Sequence, residues 1–332
     1  MPEETATITG GALLADTLMA CDVGTVFALG GAGHTHFLIP LEERGVRIVG
    51  TRHESGAVGA ADGYARATGG IGVAAIIAEQ GLSNAMTAIQ CAYMYGSPVV
   101  VLVTRWIDGW VEPASEVPVD LHASLLPITK WVRTVPSAAK LGEYMRTALR
   151  IAQSGRPGPV VLTVPQDMMA AAMPASTLPS VPAASQPASA SAQGVAAMIE
   201  MLKAAKTPAV LVDSGCRGAQ AGPALQALNA AGLPVFGYGG ARGLLAEDDA
   251  AHVLPWPVAQ VALPACDVLV VAGAQLNMWF GFGRAPRFPD GMKVVQIDAC
   301  GEEIGRNRPV DLGIVADPAT ALHQLAQAVG EA

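Results

Sequence analysis

Glu54 is the residue in this chain best placed for acid–base chemistry. It follows an apolar, β-branched run (Val46, Ile48, Val49) that reads as a buried strand. It opens a helix built almost without side chains, through Gly56, Ala57, Gly59, Ala60, Ala61 and Gly63. Each interior glycine costs roughly 1 kcal/mol of helix propensity, which a chain tolerates where something must approach the backbone closely. Strand-to-helix junctions of this kind are where α/β sheets present their ligands. Read alone, Glu54 is equally a first-turn acid favoured by the helix dipole. Other polar residues stand at similar junctions. The turn Gly30-Gly31-Ala32-Gly33 leads into His34 and His36, imidazoles that either handle protons near neutral pH or simply cap a helix. A glycine-rich turn there can also cradle phosphate, although the spacing is not GxGxxG. The stretch Ala78-Glu79-Gln80-Gly81-Leu82-Ser83-Asn84 closes another apolar run, and Ser83 or Asn84 suits a helix cap.

The elements that must position these residues alternate. Strands are expected at 25–29, 46–51, 71–78, 99–104 and 160–164. Helices are expected at 9–21, after the 30–33 turn to about residue 44, from Glu54, at 82–95 and at 138–153. A loop rich in Trp, Pro and Glu spans 105–127. Strands apolar on both faces alternating with helices predict a parallel sheet covered on both sides. Residues 172–192 are an Ala/Ser/Pro tract that cannot pack a core and reads as a semi-extended linker. Beyond it the alternation resumes, with helices at 193–205, 219–231 and 318–329 and strands at 209–213, 234–237, 268–272 and 294–297. The fold class is therefore α/β, with two open, mostly parallel sheets in domains 1–171 and 193–332.

Arg52-His53-Glu54, followed by a small-residue helix ending Gly63-Tyr64-Ala65-Arg66-Ala67, resembles the pyrimidine-binding domain of thiamine-diphosphate enzymes. The nearest patterns are benzaldehyde lyase, acetohydroxyacid synthase, oxalyl-CoA decarboxylase and 2-hydroxyacyl-CoA lyase. The resemblance implies thiamine diphosphate as cofactor. It makes Glu54 the carboxyl that shares a proton with a pyrimidine ring nitrogen, favouring the imino tautomer that activates the thiazolium carbon. It also implies that Leu29, Gly30, Gly31, Gln80, Gly81 and Asn84 line the cofactor. Val117 falls where relatives often carry a Gln facing it, and His34 and His122 are the candidates for proton handling. Gly81 and Asn84 match the family pattern, whereas Glu79 and Gln80 replace the small residues expected.

The second half resembles the central domain of the same superfamily. Gly273-Ala274-Gln275-Leu276-Asn277, Pro286-Arg287-Phe288, Val295-Gln296-Ile297-Asp298 and Glu303-Ile304-Gly305-Arg306-Asn307 are similar to the acyl-CoA branch. There the domain can hold ADP or the nucleotide end of coenzyme A, which points to Gly215, Gln275, Asn277 and Asp298. Asp298 at a strand end suits a ribose hydroxyl. The branch has Arg where this chain has Gln275, which removes a bidentate phosphate partner; Arg156 and Arg217 are candidates to replace it. A purely structural central domain is the alternative reading.

A third domain of these enzymes binds Mg²⁺ and diphosphate through Gly-Asp-Gly and a later Asn. Here Asp62, Asp108 and Asp290 are each followed but not preceded by glycine. The expectation is a split C–C lyase or carboligase whose diphosphate-binding domain is a separate subunit, with homodimerisation inside a hetero-tetramer. A 2-oxoacid decarboxylase or acetolactate synthase subunit is the alternative, as is a non-catalytic regulatory subunit. Composition agrees with an assembling protein: 51% hydrophobic and 14% charged residues leave much surface to be covered. A net charge of −8 without a basic cluster argues against nucleic acid or an anionic membrane as partner. Five scattered cysteines, no signal-like N-terminus and no span-length apolar run predict a reducing, cytoplasmic setting.

Overall fold

Runs of Val, Ile, Leu and Ala with no polar face become the central strands of two parallel sheets. The computed structural model describes residues 7–31, 33–77, 80–107, 121–175, 186–217, 221–245 and 254–330. They fall into two compact units, Met1–Ala184 and Ser185–Ala332.

The first unit runs β1 (Thr7–Thr9), α1 (Gly10–Ala20), β2 (Thr25–Ala28), α2 (Thr35–Glu43), β3 (Arg47–Gly50), α3 (Glu54–Thr68), β4 (Gly72–Ile77), α4 (Gln80–Tyr95) and β5 (Val99–Arg105). It continues with α5 (His122–Leu125), β6 (Trp131–Thr134), α6 (Leu141–Gln153), β7 (Val160–Pro165), α7 (Gln166–Ala170) and β8 (Ala172–Pro174). The main sheet has the order β3-β2-β4-β5-β7-β6, and every pairing in it is parallel. Side chains alternate across it as strand geometry requires. Val100 and Leu102 join α1, α2 and α6 in one core, while Val99, Val101 and Val103 join α3 and α4 in another.

The small residues of α3 let it sit close to the sheet. A Cβ on Gly72 would lie 2.1 Å from the Ala61 carbonyl oxygen, so β4 can start beneath the helix only as glycine. Gly69, in the left-handed region at φ 71°, ends α3, with its N–H on the Ala65 carbonyl.

The second unit runs α8 (Ala192–Lys203), β9 (Pro208–Val212), α9 (Gly222–Ala230), β10 (Val235–Gly237), β11 (Leu254–Pro255), α10 (Trp256–Ala262), β12 (Val268–Ala272), β13 (Lys293–Asp298), β14 (Leu312–Val315) and α11 (Pro318–Gly330). Its sheet has the order β11-β10-β9-β12-β13-β14, again parallel throughout. One face is closed by α8, α9 and α11 through Met198, Leu225, Leu228 and Leu322. The other is closed by Leu263, Phe280 and Phe288.

The stretch read as a linker begins with structure. Ala172–Pro174 is a strand paired antiparallel with Thr7–Thr9, and Ser191 already caps α8 by accepting the Gly194 N–H at 3.1 Å. Three-residue strands carry too little periodicity to be read from sequence. Strand β14, helix α7 and the β11–α10 pair were likewise not expected. Among the described residues no helix is long and apolar enough to cross a membrane.

Candidate functional site

The order of the first sheet reverses at β2: β3 lies on one side of it and β4 on the other. The crevice beyond the carboxyl ends of β2 and β4 is where open α/β sheets hold ligands. Leu29–Gly31 and the first turn of α4 flank it, and Glu54 is the first residue of α3. His53, rather than Glu54, caps α3: its Nδ1 accepts the Ser55 N–H at 3.2 Å. That frees Glu54 to turn inward. Its side chain is buried at 5% exposure, and Oε2 accepts a hydrogen bond from Asn84 Nδ2 at 3.0 Å. Gly81 makes the room: a Cβ there would lie 2.8 Å from Glu54 Oε1 and 3.1 Å from its Cγ. Glu54 is thus a first-turn acid of α3 and also a buried carboxyl with an amide donor.

Ile77, the last residue of β4, joins the two flanks. A Cβ on Gly31 would meet its Cγ2 at 2.1 Å, and one on Gly81 would meet its Cγ1 at 2.8 Å. Both glycines are therefore fixed by one isoleucine, a relation that no local sequence signal announces. The half-buried Leu29 ties the turn to β4 through its N–H on the Ala75 carbonyl at 3.0 Å. Gly30 and Gly31 are exposed beyond it and present bare backbone.

His34 holds this turn from beneath. It is buried at 1% exposure, its Nδ1 accepts the Gly31 N–H at 3.1 Å, and its Nε2 lies 3.3 Å from Thr104 Oγ1. Burial pushes the imidazole down to about 4, against the raising effect of hydrogen bonds with the Gly31 and Ile76 backbone. The expectation that His34 carries protons near neutral pH meets a physical obstacle, because a neutral, enclosed ring with Nδ1 engaged is a strut for the turn. His36 is exposed. His122 is half-buried at the start of α5, with Nε2 3.4 Å from Thr134 Oγ1. Gln80 is exposed on the first turn of α4. Val117 lies outside the described residues, as does Glu79.

A buried carboxylate beside bare glycine backbone suits a flat heteroaromatic ring whose nitrogen shares a proton with it. Among the described residues, no group of three or more His, Cys, Asp or Glu side chains could hold a metal ion.

Residues 8–112 match the model of the thiamine pyrophosphate enzyme N-terminal TPP-binding domain. Residues 195–325 match the model of the central domain of the same enzymes. The chain belongs to the thiamine pyrophosphate enzyme family. Relatives agree with the assignment. A 2-hydroxyacyl-CoA lyase 2 of Caenorhabditis elegans is 30% identical over 97% of this chain and 56% of its own length. The acetolactate synthase large subunit of Parasynechococcus marenigrum is 30% identical over 97% of this chain and 54% of its own. A solved Mycobacterium smegmatis structure, described only as thiamin diphosphate-dependent, superposes with a TM-score of 0.83 at 25% identity, covering 97% of this chain and 63% of that one. The chain thus spans about half the length of the curated relatives it matches.

In this thiamine pyrophosphate enzyme chain, five of the residues singled out for a nucleotide (Gly215, Arg217, Gln275, Asn277 and Asp298) lie in the second unit, at or shortly after the ends of the neighbouring strands β9, β12 and β13. Arg156 lies in the first unit, where its guanidinium donates to the Met94 carbonyl at 2.8 Å and caps the end of α4. Arg217 donates to the Arg242 carbonyl at 2.9 Å. Asn277 Oδ1 accepts the Trp279 N–H at 3.0 Å, and Gln275 is half-buried beside it. Asp298 is buried at the end of β13, with Oδ1 on the Cys300 N–H at 2.8 Å. Gly215 packs backbone to backbone against Gly273, donating to its carbonyl at 2.9 Å. Arg156 and Arg217 thus each carry a structural bond to a backbone carbonyl.

Proposed function

We propose that this chain is the pyrimidine-activating part of a thiamine-diphosphate-dependent C–C lyase or carboligase. Its substrates are 2-hydroxyacyl-CoA esters or 2-hydroxy ketones, and a separate subunit completes it by binding Mg²⁺ and the diphosphate. The single observation that carries this reading is the buried Glu54 carboxylate at the sheet's reversal point, held by Asn84 and backed by Gly81.

The cofactor, when bound, supplies a carbon nucleophile that stabilises charge on the substrate's carbonyl carbon. This chain's residues do the rest of the work on their side of the site. Glu54 holds a proton against the pyrimidine ring nitrogen, and Asn84 fixes which carboxylate oxygen is free to do so. Leu29, Gly30 and Gly31 offer backbone to the ring, with His34 and Ile77 keeping the turn in place. Gln80 and His122 are kept from the resemblance as candidates to orient a substrate or pass it a proton, His122 lying against Thr134 at the end of the edge strand β6.

The proposal puts the metal grip outside these 332 residues because the sequence contains no Gly-Asp-Gly, the motif the resemblance ties to Mg²⁺ and diphosphate. The similarity to an acetolactate synthase favours a second reading, 2-oxoacid decarboxylation or acetolactate formation. An acyl-CoA substrate, or ADP, would call on Gln275, Asn277 and Asp298. Thermal stabilisation of the chain by either ligand tests that addition, and no stabilisation at millimolar ligand removes it.

The deciding experiment measures thiamine diphosphate retained by the chain alone and by the chain co-purified with a protein bearing Gly-Asp-Gly and a downstream Asn. Retention only in the pair, with cleavage of 2-hydroxyacyl-CoA, is expected. Pyruvate turnover in its place selects the second reading. Tight magnesium-dependent binding by the 332-residue chain alone contradicts the division between subunits.

A further inference from the structure

The second unit carries its own anion. Its sheet reverses order between β9 and β12, and the crevice at their carboxyl ends is the usual ligand position of such a fold. Here that seam is shut. Gly273, at φ +60°, and Gly215 touch so closely that a Cβ on Gly215 would lie 2.6 Å from Gly273 Cα. Beside the seam stands Asp213, the residue that follows β9, buried with only 9% of its surface exposed. Its Oδ1 accepts the Gly240 N–H at 2.8 Å from the turn after β10. The Ser214 N–H also bonds the carboxylate, and Arg217 is the cationic neighbour. A Cβ on Gly240 would lie 2.5 Å from both Asp213 Oδ1 and Ser214 Cβ and 2.6 Å from Ser214 Cα, so only glycine lets this turn close onto residues 213–214.

Converging backbone N–H groups with a guanidinium nearby are the donor set with which strand-end turns hold phosphate. We propose that the Asp213 carboxylate occupies the anion position of this turn, so that the second unit takes no ligand phosphate at residues 213–217. The occupied turn stands whatever the first unit binds. An incoming phosphate would find the Gly240 and Ser214 N–H groups already taken, and would give up its hydration without gaining the donors that could offset the loss. Asp213 thus acts as a specificity-determining residue by exclusion. Any nucleotide taken up by this unit has to be held elsewhere, and the seam between Gly215 and Gly273 stays closed.

The test is a thermal titration of the full chain with inorganic pyrophosphate and then with ADP. The buffer should be well above the Asp213 titration range, so that the carboxylate is charged. Wild type, Asp213→Ser and Asp213→Asn are compared. Asp213→Ser empties the position and is expected to bind pyrophosphate at least tenfold more tightly than wild type, in a saturable, salt-sensitive way. Asp213→Asn loses the charge but keeps an oxygen on the Gly240 N–H, and is expected to gain nothing. Equal affinities in wild type and Asp213→Ser, including none in both, overturn the proposal. So does an equal gain in Asp213→Asn, which would make the charge and not the occupied donors the obstacle. Asp213→Gly replaces the serine variant should that one fail to fold, with the same outcomes.

Discussion

Ile77 shows how one side chain can set the geometry of two polar elements. Its Cγ2 fills the space beside Gly31, and its Cγ1 fills the space beside Gly81, whose missing side chain admits the Glu54 carboxyl. Gly31→Ala should therefore destabilise the first unit by about 1–3 kcal/mol through overpacking. Ile77→Ala should cost on the order of 2 kcal/mol through lost burial. The double variant should recover part of the sum, with a coupling energy of roughly 0.5–3 kcal/mol as expected for residues in contact. Chemical denaturation of the four proteins measures it, and strict additivity would mean that the two residues do not share this space. Asn84 acts on Glu54 by a bond to a charged acceptor, worth about 1.5–3 kcal/mol in such settings. Asn84→Ala leaves the buried Glu54 carboxyl without this donor, so it should lower stability by about 1–3 kcal/mol and lower activity of the proposed enzyme about tenfold or more. A large loss of stability with unchanged turnover would assign Asn84 to packing instead.

At the scale of elements, the site depends on how closely α3 can lie on β4. Gly72→Ala puts a methyl 2.1 Å from the Ala61 carbonyl oxygen, so the helix and Glu54 with it must shift. The expected cost is about 1–3 kcal/mol, accompanied by a loss of activity that a merely destabilising change elsewhere, matched in melting temperature, does not produce. The strong alternation of β-branched runs with helices made the two parallel sheets legible in the sequence, and the side-chain-poor helix after a strand pointed to Glu54. What escaped notice depends on distance rather than pattern. Ile77 reads as one more strand residue, and Thr104 as another. His34 reads as a titrating group because its type is visible while its enclosure is not. The pair β1–β8 joins residues far apart in sequence through three residues each, too few for period-two alternation to register. Asp213 likewise reads as a strand-end acid until the Gly240 N–H is seen on it.

At the scale of the whole molecule, two of the buried groups among the described residues, His34 and Asp213, have opposing effects on stability. His34 is lowered from 6.5 to about 4 by burial, so its neutral form stabilises the first unit fully above its unfolded value of 6.5, and that contribution is lost as pH falls toward 4. Asp213 is raised from 3.8 to about 6, chiefly by burial and against its bonds to Gly240 and Ser214 and the charge of Arg217. Its contribution to the second unit is fullest below 3.8 and is lost as pH rises through 6. Going from about pH 7 to about pH 5 should therefore destabilise the first unit by about 2 kcal/mol and stabilise the second by about 1 kcal/mol. Hydrogen exchange resolved by unit measures both, and Asp213→Asn should flatten the second response alone. Parallel shifts in the two units would mean that other groups govern the pH dependence.

The proposed function makes Glu54 the proton-sharing carboxyl of a thiamine diphosphate gripped from elsewhere, and one rate reports on that proposal directly. It is the hydrogen–deuterium exchange rate at the thiazolium carbon of thiamine diphosphate bound to the completed enzyme, compared between wild type and Glu54→Gln by rapid acid quench and NMR. The exchange needs no substrate, so it is independent of which carbonyl compound the enzyme accepts. A fall of about 100-fold or more, with the cofactor still bound, is the predicted result. An unchanged exchange rate in Glu54→Gln would contradict the role assigned to Glu54.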